Sequence, residues 1–235
     1  MDERRRSAVL AGYAGDVDVA RALLGDEDGT VRAAAWGALD RLGALEHDAI
    51  AAALDDPDPD VRRRVIELAA TRPGIDLSGP LADDDPTVVE LAAWAAGEQE
   101  RVSPAVLERL ITLATGADDA MVRESAIAAL GAIGDEAGLG AVIAGLDDRA
   151  TVRRRAVIAL AAFEGDDADD ALRRALEDRD WQVRQIAEDL LGVVDLPADY
   201  YGEDGIADDE APGGDTDSAA DGPRGAAGGD ADLSG

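Results

Sequence analysis

Apolar residues fall along the chain in a helical pattern that restarts six times. With Val31, Val61, Val88, Val122, Val152 and Val183 taken as position 0, the units are spaced 30, 27, 34, 30 and 31 residues apart. Four residues on stands Ala35, Val65, Ala92, Ala126, Ala156 or Ala187. Eight residues on stands Leu39, Ala69, Ala96, Leu130, Leu160 or Leu191. Positions 0, +4, +7 and +8 share one face of a helix with 3.6 residues per turn. A pattern that recurs in register at this period is the mark of a repeat architecture.

The polar positions supply the boundaries. Three residues before the valine comes Asp28, Asp58, Asp85, Asp119 or Asp180, with Arg149 as the exception. An aspartate there reads as a helix N-cap, its carboxylate accepting N–H groups of the first turn. Pro59 and Pro86 come directly after two of these caps, at the first helical position that proline favours. Gly43, Gly97, Gly134 and Gly192 read as helix stops. Before each cap lies a second amphipathic stretch: Val17–Leu24, Glu46–Leu54, Ser103–Ala114, Leu139–Leu146 and Asp169–Leu176. Gly79 and Pro80 interrupt the equivalent Leu77–Leu81, so that element should be short or irregular. Near the N-terminus, Arg4-Arg5-Arg6-Ser7-Ala8-Val9 reads like Arg153-Arg154-Arg155-Ala156-Val157-Ile158 and predicts a capping helix. The expectation is an all-α chain of about six helix pairs plus that N-terminal helix. The first helix of each pair is called A and the second B. Such pairs cannot bury their faces alone, and they stack into a right-handed α-α superhelix over residues 1–196.

The shared string Asp-x-x-Val-Arg-x-x-Ala-x-x-Ala-Leu-x-x-Leu/Ile-Gly resembles the HEAT-repeat signature, in the short form called bilin-lyase-like (PBS lyase HEAT-like). Asp119 to Gly134 fits it nearly position by position, and the resemblance covers about residues 3 to 192. It implies a solenoid whose B helices line the concave side. Bilin lyases of this kind attach pigments to cysteines of partner proteins, but the resemblance supplies no catalytic residue to carry over. Deoxyhypusine hydroxylase is a similar solenoid whose di-iron site needs several His-Glu pairs, and Glu46-His47 is the one such pair here. HEAT-like alkylpurine glycosylases use a basic concave face with aromatics, an idea that Trp36, Trp94 and Trp181 keep alive thinly.

Charge narrows the function classes further. The 235 residues include 52 acidic and 22 basic ones, for a formal net charge of −30. Every basic residue is arginine, cysteine is absent and there is one histidine. Thiolate chemistry and multi-histidine metal sites are therefore excluded, and the net charge opposes general phosphate binding. No cofactor is expected. Acid excess with arginine in place of lysine resembles the proteins of salt-accumulating haloarchaea. At molar salt the Debye length is about 3 Å and most of the self-repulsion is screened. No run approaches the roughly 18 apolar residues of a membrane helix. Arg5-Arg6 suggests an export signal, but the apolar stretch behind it is short and meets Asp16 and Asp18, so a cytoplasmic monomer is expected. Residues 197–235 hold eleven acids and nine glycines and are expected to be disordered. Tyr200, Tyr201 and Ile206 form their one apolar cluster, read as a cap on the last repeat, with a short docking motif for a partner as the alternative.

Candidate chemistry is sparse. Asp56, Asp58 and Asp60 with Glu67 imitate the spacing of an EF-hand loop, but Val61 occupies its obligatory glycine position and two prolines stiffen the run. Arginine placement says more. From each valine to the ninth residue beyond, the six B windows hold nine Arg and six acids. Arg32, Arg62, Arg123, Arg153 and Arg184, at +1, read as a structural ladder with turn aspartates that include Asp28, Asp58, Asp119 and Asp180. The open centre of each B helix is expected at +2 and +9. The +2 series contains Arg63, Glu90, Glu124 and Arg154, and the +9 series is mostly glycine and alanine. Arg63, Arg154, Glu90 and Glu124, with Trp94 at +6, are the candidate partner-binding residues. The expected function is a non-enzymatic scaffold or adaptor for another protein, with components of the chemotaxis and motility machinery one setting. The alternatives are a bilin-lyase-like maturation factor and a repair-type nucleic-acid binder. Desalting the protein should unfold it, as read by circular dichroism, and an unchanged spectrum would refute the salt reading.

Overall fold

An aspartate N-cap opens five of the repeated B helices. Asp28, Asp58, Asp85, Asp119 and Asp180 each accept a bond from the backbone N–H two residues on. Asp16 and Ser103 cap two A helices in the same way, accepting from the N–H three residues on. The computed structural model describes residues 3–192, and among them every regular element is helical. In order, these are α1 (Glu3–Ala14), α2 (Val17–Ala22), α3 (Gly29–Arg41), α4 (His47–Ala53), α5 (Pro59–Ala70) and α6 (Pro86–Gly97). Next come α7 (Pro104–Gly116), α8 (Ala120–Ile133), α9 (Leu139–Ala144), α10 (Ala150–Leu160), α11 (Asp166–Ala175) and α12 (Trp181–Leu191). The B helices are α1, α3, α5, α6, α8, α10 and α12. The A element before α6 is reduced to a 3₁₀ turn, Pro80–Ala82, at the place where Gly79 and Pro80 break the pattern. The segment from Pro197 on, with Tyr200, Tyr201 and Ile206, lies outside the described residues.

The repeated apolar positions form one continuous core. The valine at position 0 and the residue at +4 are buried in all six units, and +8 is buried in the first five. Most of these side chains are Ala, Val or Leu, so each buries little area and the helices must approach closely to exclude water. The +9 residues make that approach possible. A Cβ on Gly131 would stand 2.8 Å from the Ala159 Cα, and one on Gly97 would stand 3.1 Å from the Ala129 Cα. At Gly97 and Gly131 position +9 is therefore the seam between neighbouring B helices, which corrects the expectation of an open centre there, while Ala161 and Gly192 at the same position are exposed. Gly97 likewise does not stop its helix, since the chain continues in right-handed conformation through Glu98. Gly134 and Gly192, at φ 65° and 67°, do end theirs.

A second set of contacts runs along the turns. Four of the five +1 arginines use Nε and Nη2 to grip a carboxylate of the next repeat: Arg32 on Asp56, Arg62 on Asp83, Arg123 on Asp148 and Arg153 on Asp178, at 2.6–2.9 Å. The remaining nitrogen, Nη1, donates to backbone carbonyls of the arginine's own turn, such as Asp26 O and Glu27 O for Arg32. Arg184 makes that carbonyl bond to Asp178 O. Arg4 reaches Asp26 and Glu27 from α1, as its alignment with Arg153 implies. The carboxylate that receives each arginine is not the cap. It sits five residues before the valine, or four in the case of Asp148, and also accepts a backbone N–H of its own turn. Asp28, Asp58, Asp119 and Asp180 thus belong to the helix starts, which corrects their assignment as partners of the +1 arginines. The rail is interrupted once. Val89, buried in the apolar core, stands where the arginine would be, and the next turn has Ala117, packed against the core, followed by Asp118.

Thermal melts test the seam. Alanine normally stabilises a helix by about 1 kcal/mol over glycine, and Gly140→Ala, with nothing near its Cβ, should raise the melting temperature accordingly. Gly131→Ala should instead lower it, because its Cβ meets the backbone of α10. Acid tests the rail. The Arg123 guanidinium holds the Asp148 carboxyl below its ordinary value, and Arg153 does the same for Asp178. For Asp56 burial pushes upward, but Arg32 and the Asp58 N–H outweigh it and the net direction is again down. Carboxylates lowered on folding contribute stability above their unfolded value of about 3.9. That contribution is lost as pH falls through the folded values. In molar KCl the melting temperature should hold to about pH 4 and then fall. Asp148→Asn should lower it at neutral pH and make the acid fall shallower.

Candidate functional site

The B helices turn one face away from the core, and the side chains at −1, +2, +3 and +6 occupy it. At +6, Glu67, Trp94, Ile158 and Asp189 are exposed, and at −1 so are Thr30, Asp60, Thr87, Met121 and Thr151. Trp94 therefore stands on this open face. On the side of α5, α6, α8 and α10 this face forms a groove of about 630 Å³. Trp94 and Leu91 of α6 and Met121 of α8 supply its apolar surface, with Trp94 45% and Met121 53% exposed. Ala128, Ala129 and Ala132 also line it and add little side-chain bulk.

The charged side chains around it differ in what they are free to do. Arg63 lines the groove but is occupied: it donates to Thr87 Oγ1 at 2.8 Å, pairs with Asp60, and lies 3.6 Å from the Asp85 carboxylate. Arg154 is absent from this lining and binds the cap carboxylate of Asp180 at 3.2 Å. The two +2 arginines thus brace turns in the way the +1 arginines do. Arg155, one residue further on, enters the groove and pairs with Glu124 at 3.4 Å. Glu67 pairs with Arg64 at 2.7 Å. Glu90 and Glu98 have no cationic partner among the described residues. Of the five residues singled out by sequence, the structure brings Arg63, Glu90, Trp94 and Glu124 together and leaves Arg154 apart.

The residues missed were Met121, Arg155 and Glu98. Met121 sits at −1 and Arg155 at +3, and a helical wheel centred on +2 contains both positions. Their signal was present and was masked by placing the open centre partly at +9. Other candidate chemistry resolves into structure. Asp56 receives Arg32, Asp58 caps α5 and Asp60 pairs with Arg63, so the EF-hand-like run is fully employed in turns. No group of three or more His, Asp or Glu side chains among the described residues is placed to hold a metal ion. No described helix is long and apolar enough to cross a membrane. Trp36 is buried, and Trp181 opens α12 with 61% of its surface exposed, so the three tryptophans do not form one cluster.

The comparisons with known proteins agree with this geometry. Residues 77–150 match the family model for HEAT repeats, and residues 152–178 match that for the PBS lyase HEAT-like repeat. No curated protein sequence matches the chain. Among solved structures, one engineered protein is 19% identical, with 82% of this chain and 98% of that one covered at a TM-score of 0.54. A second engineered protein is 20% identical, covering 77% and 58% at a TM-score of 0.55. Human deoxyhypusine hydroxylase in complex with glycerol is 19% identical over 80% and 78%, at a TM-score of 0.43. Stacked helix pairs and two matching repeat models lead to one assignment: residues 77–150 are HEAT repeats and residues 152–178 a PBS lyase HEAT-like repeat.

Proposed function

We propose that the chain is a non-enzymatic scaffold or adaptor that binds another protein through the B-helix face. The observation that supports this reading most is the half-exposed Trp94 beside Met121 and Leu91, in a groove whose arginines are already paired. A tryptophan in a shallow pocket is the side chain most often found to dominate a protein interface. The helices that present it are locked by core and rail, so little conformational freedom is lost when a partner docks. The arginines that would hold a phosphate backbone are tied to carboxylates, which weighs against the nucleic-acid reading. The maturation-factor reading lacks a nucleophile or a metal cluster among the described residues.

The test is capture from a lysate of the source cells at molar KCl, with wild type, Trp94→Ala and Trp181→Ala compared by mass spectrometry. Loss of a hot-spot tryptophan costs at least about 2 kcal/mol, or roughly 30-fold in affinity. A specific partner should disappear with Trp94→Ala and remain with Trp181→Ala, while both variants keep the wild-type melting temperature. Equal recovery by all three proteins would remove the groove from consideration.

A further inference from the structure

Trp94 has a carboxylate four residues to either side in sequence: Glu90 within α6, and Glu98 just past its end at Gly97, where the backbone stays right-handed. On a helix, residues four apart are neighbours on one face, so Glu90 adjoins Trp94 and the cap residue Glu98 follows on the same side. All three line the groove. Of the four glutamates there, Glu67 and Glu124 are neutralised by Arg64 and Arg155. Glu90 and Glu98 have no cation among the described residues, and the two arginines of the lining are already engaged. The surface thus offers a half-exposed indole with uncompensated carboxylates before and after it in the chain. That is complementary to a planar cation that stacks on an aromatic ring and donates hydrogen bonds at its edges.

Resting on the reading of this groove as a protein-docking surface, we infer that it receives an arginine side chain of the partner. The guanidinium stacks on Trp94 while its N–H groups bind Glu90 and Glu98, and apolar neighbours in the partner segment cover Leu91 and Met121. Arginine is favoured over lysine by its planar fork and weaker hydration. Both contacts are short-ranged, so they persist at salt concentrations that abolish attraction at a distance. The chain's own segment 197–235 is a poor occupant, because it holds eleven acids and a single arginine, Arg224.

Heptapeptide pools with a fixed central arginine, lysine, citrulline or glutamate and random flanks would be passed over the immobilised full chain in molar KCl. Citrulline keeps the shape of arginine without its charge. The arginine pool should be retained at least tenfold over citrulline and several-fold over lysine. That preference should vanish in Trp94→Ala and shrink in the double variant E90Q/E98Q, whose melting temperature checks that it is folded. Equal retention of arginine and citrulline, retention of no pool, or a preference that survives in both variants would overturn the inference. Partner capture that depends on Trp94 would still stand in those cases, which separates failure of the arginine from failure of the docking surface.

Discussion

Four of the +1 arginines each span two turns at once, and the stack of layers depends on that geometry. A guanidinium has five donors in a fixed plane. Here one edge grips the carboxylate of the following repeat while the remaining nitrogen holds the carbonyls of its own turn. The carboxylate in turn accepts an N–H of the loop it belongs to. Every joint therefore fixes the shape of two turns and the step between them. A core of alanine and valine has little side-chain bulk to set the spacing of helices, so the rail supplies a register that packing alone would leave loose. These pairs are partly buried and two-pronged. Pairs of that kind are shielded from salt better than exposed single contacts, a useful property in a chain whose formal charge of −30 is eased by salt.

The groove depends on the same arrangement. Because the arginines at +1 and +2 are drawn toward the turns, the middle of the B-helix face is left to small residues and to whatever stands at +6. In α8 that residue is Ala128 and in α6 it is Trp94, so one large aromatic side chain stands where α8 has an alanine. The groove also crosses the one joint without a rail pair, where Val89, buried in the core, takes the place of the arginine.

Repeat number, cap positions and the broken third A element were legible because each depends on local chain chemistry. An aspartate caps the helix immediately after it, and Gly79-Pro80 breaks the helix that contains them, whatever the neighbours do. The +1 arginines could be recognised as structural, but their partners could not be named. The receiving aspartate lies between 21 and 25 residues ahead, a spacing that shifts with turn length, and the cap aspartates offered a more regular and misleading series. The glycines at +9 were misread for a related reason. A helical wheel gives the direction of a side chain from its own axis and does not say where the next axis passes. Gly131 and Gly97 are small because Ala159 and Ala129 of the next helix arrive there. The same displacement hid Met121 and Arg155 from the candidate site.

Half of every rail pair is encoded in one repeat and half in the next. A unit copied and inserted beside itself carries both halves, its arginine facing the new aspartate and its aspartate facing the old arginine. Such an array can grow by duplication without any new contact having to arise. The unit starting at Val88 is excluded from this exchange, since Val89 takes the place of its arginine. Placed elsewhere in the array, it would strand the aspartate of the turn after it. The array thus consists of two blocks of interchangeable parts joined by one fixed piece, and that piece is the one that carries Trp94.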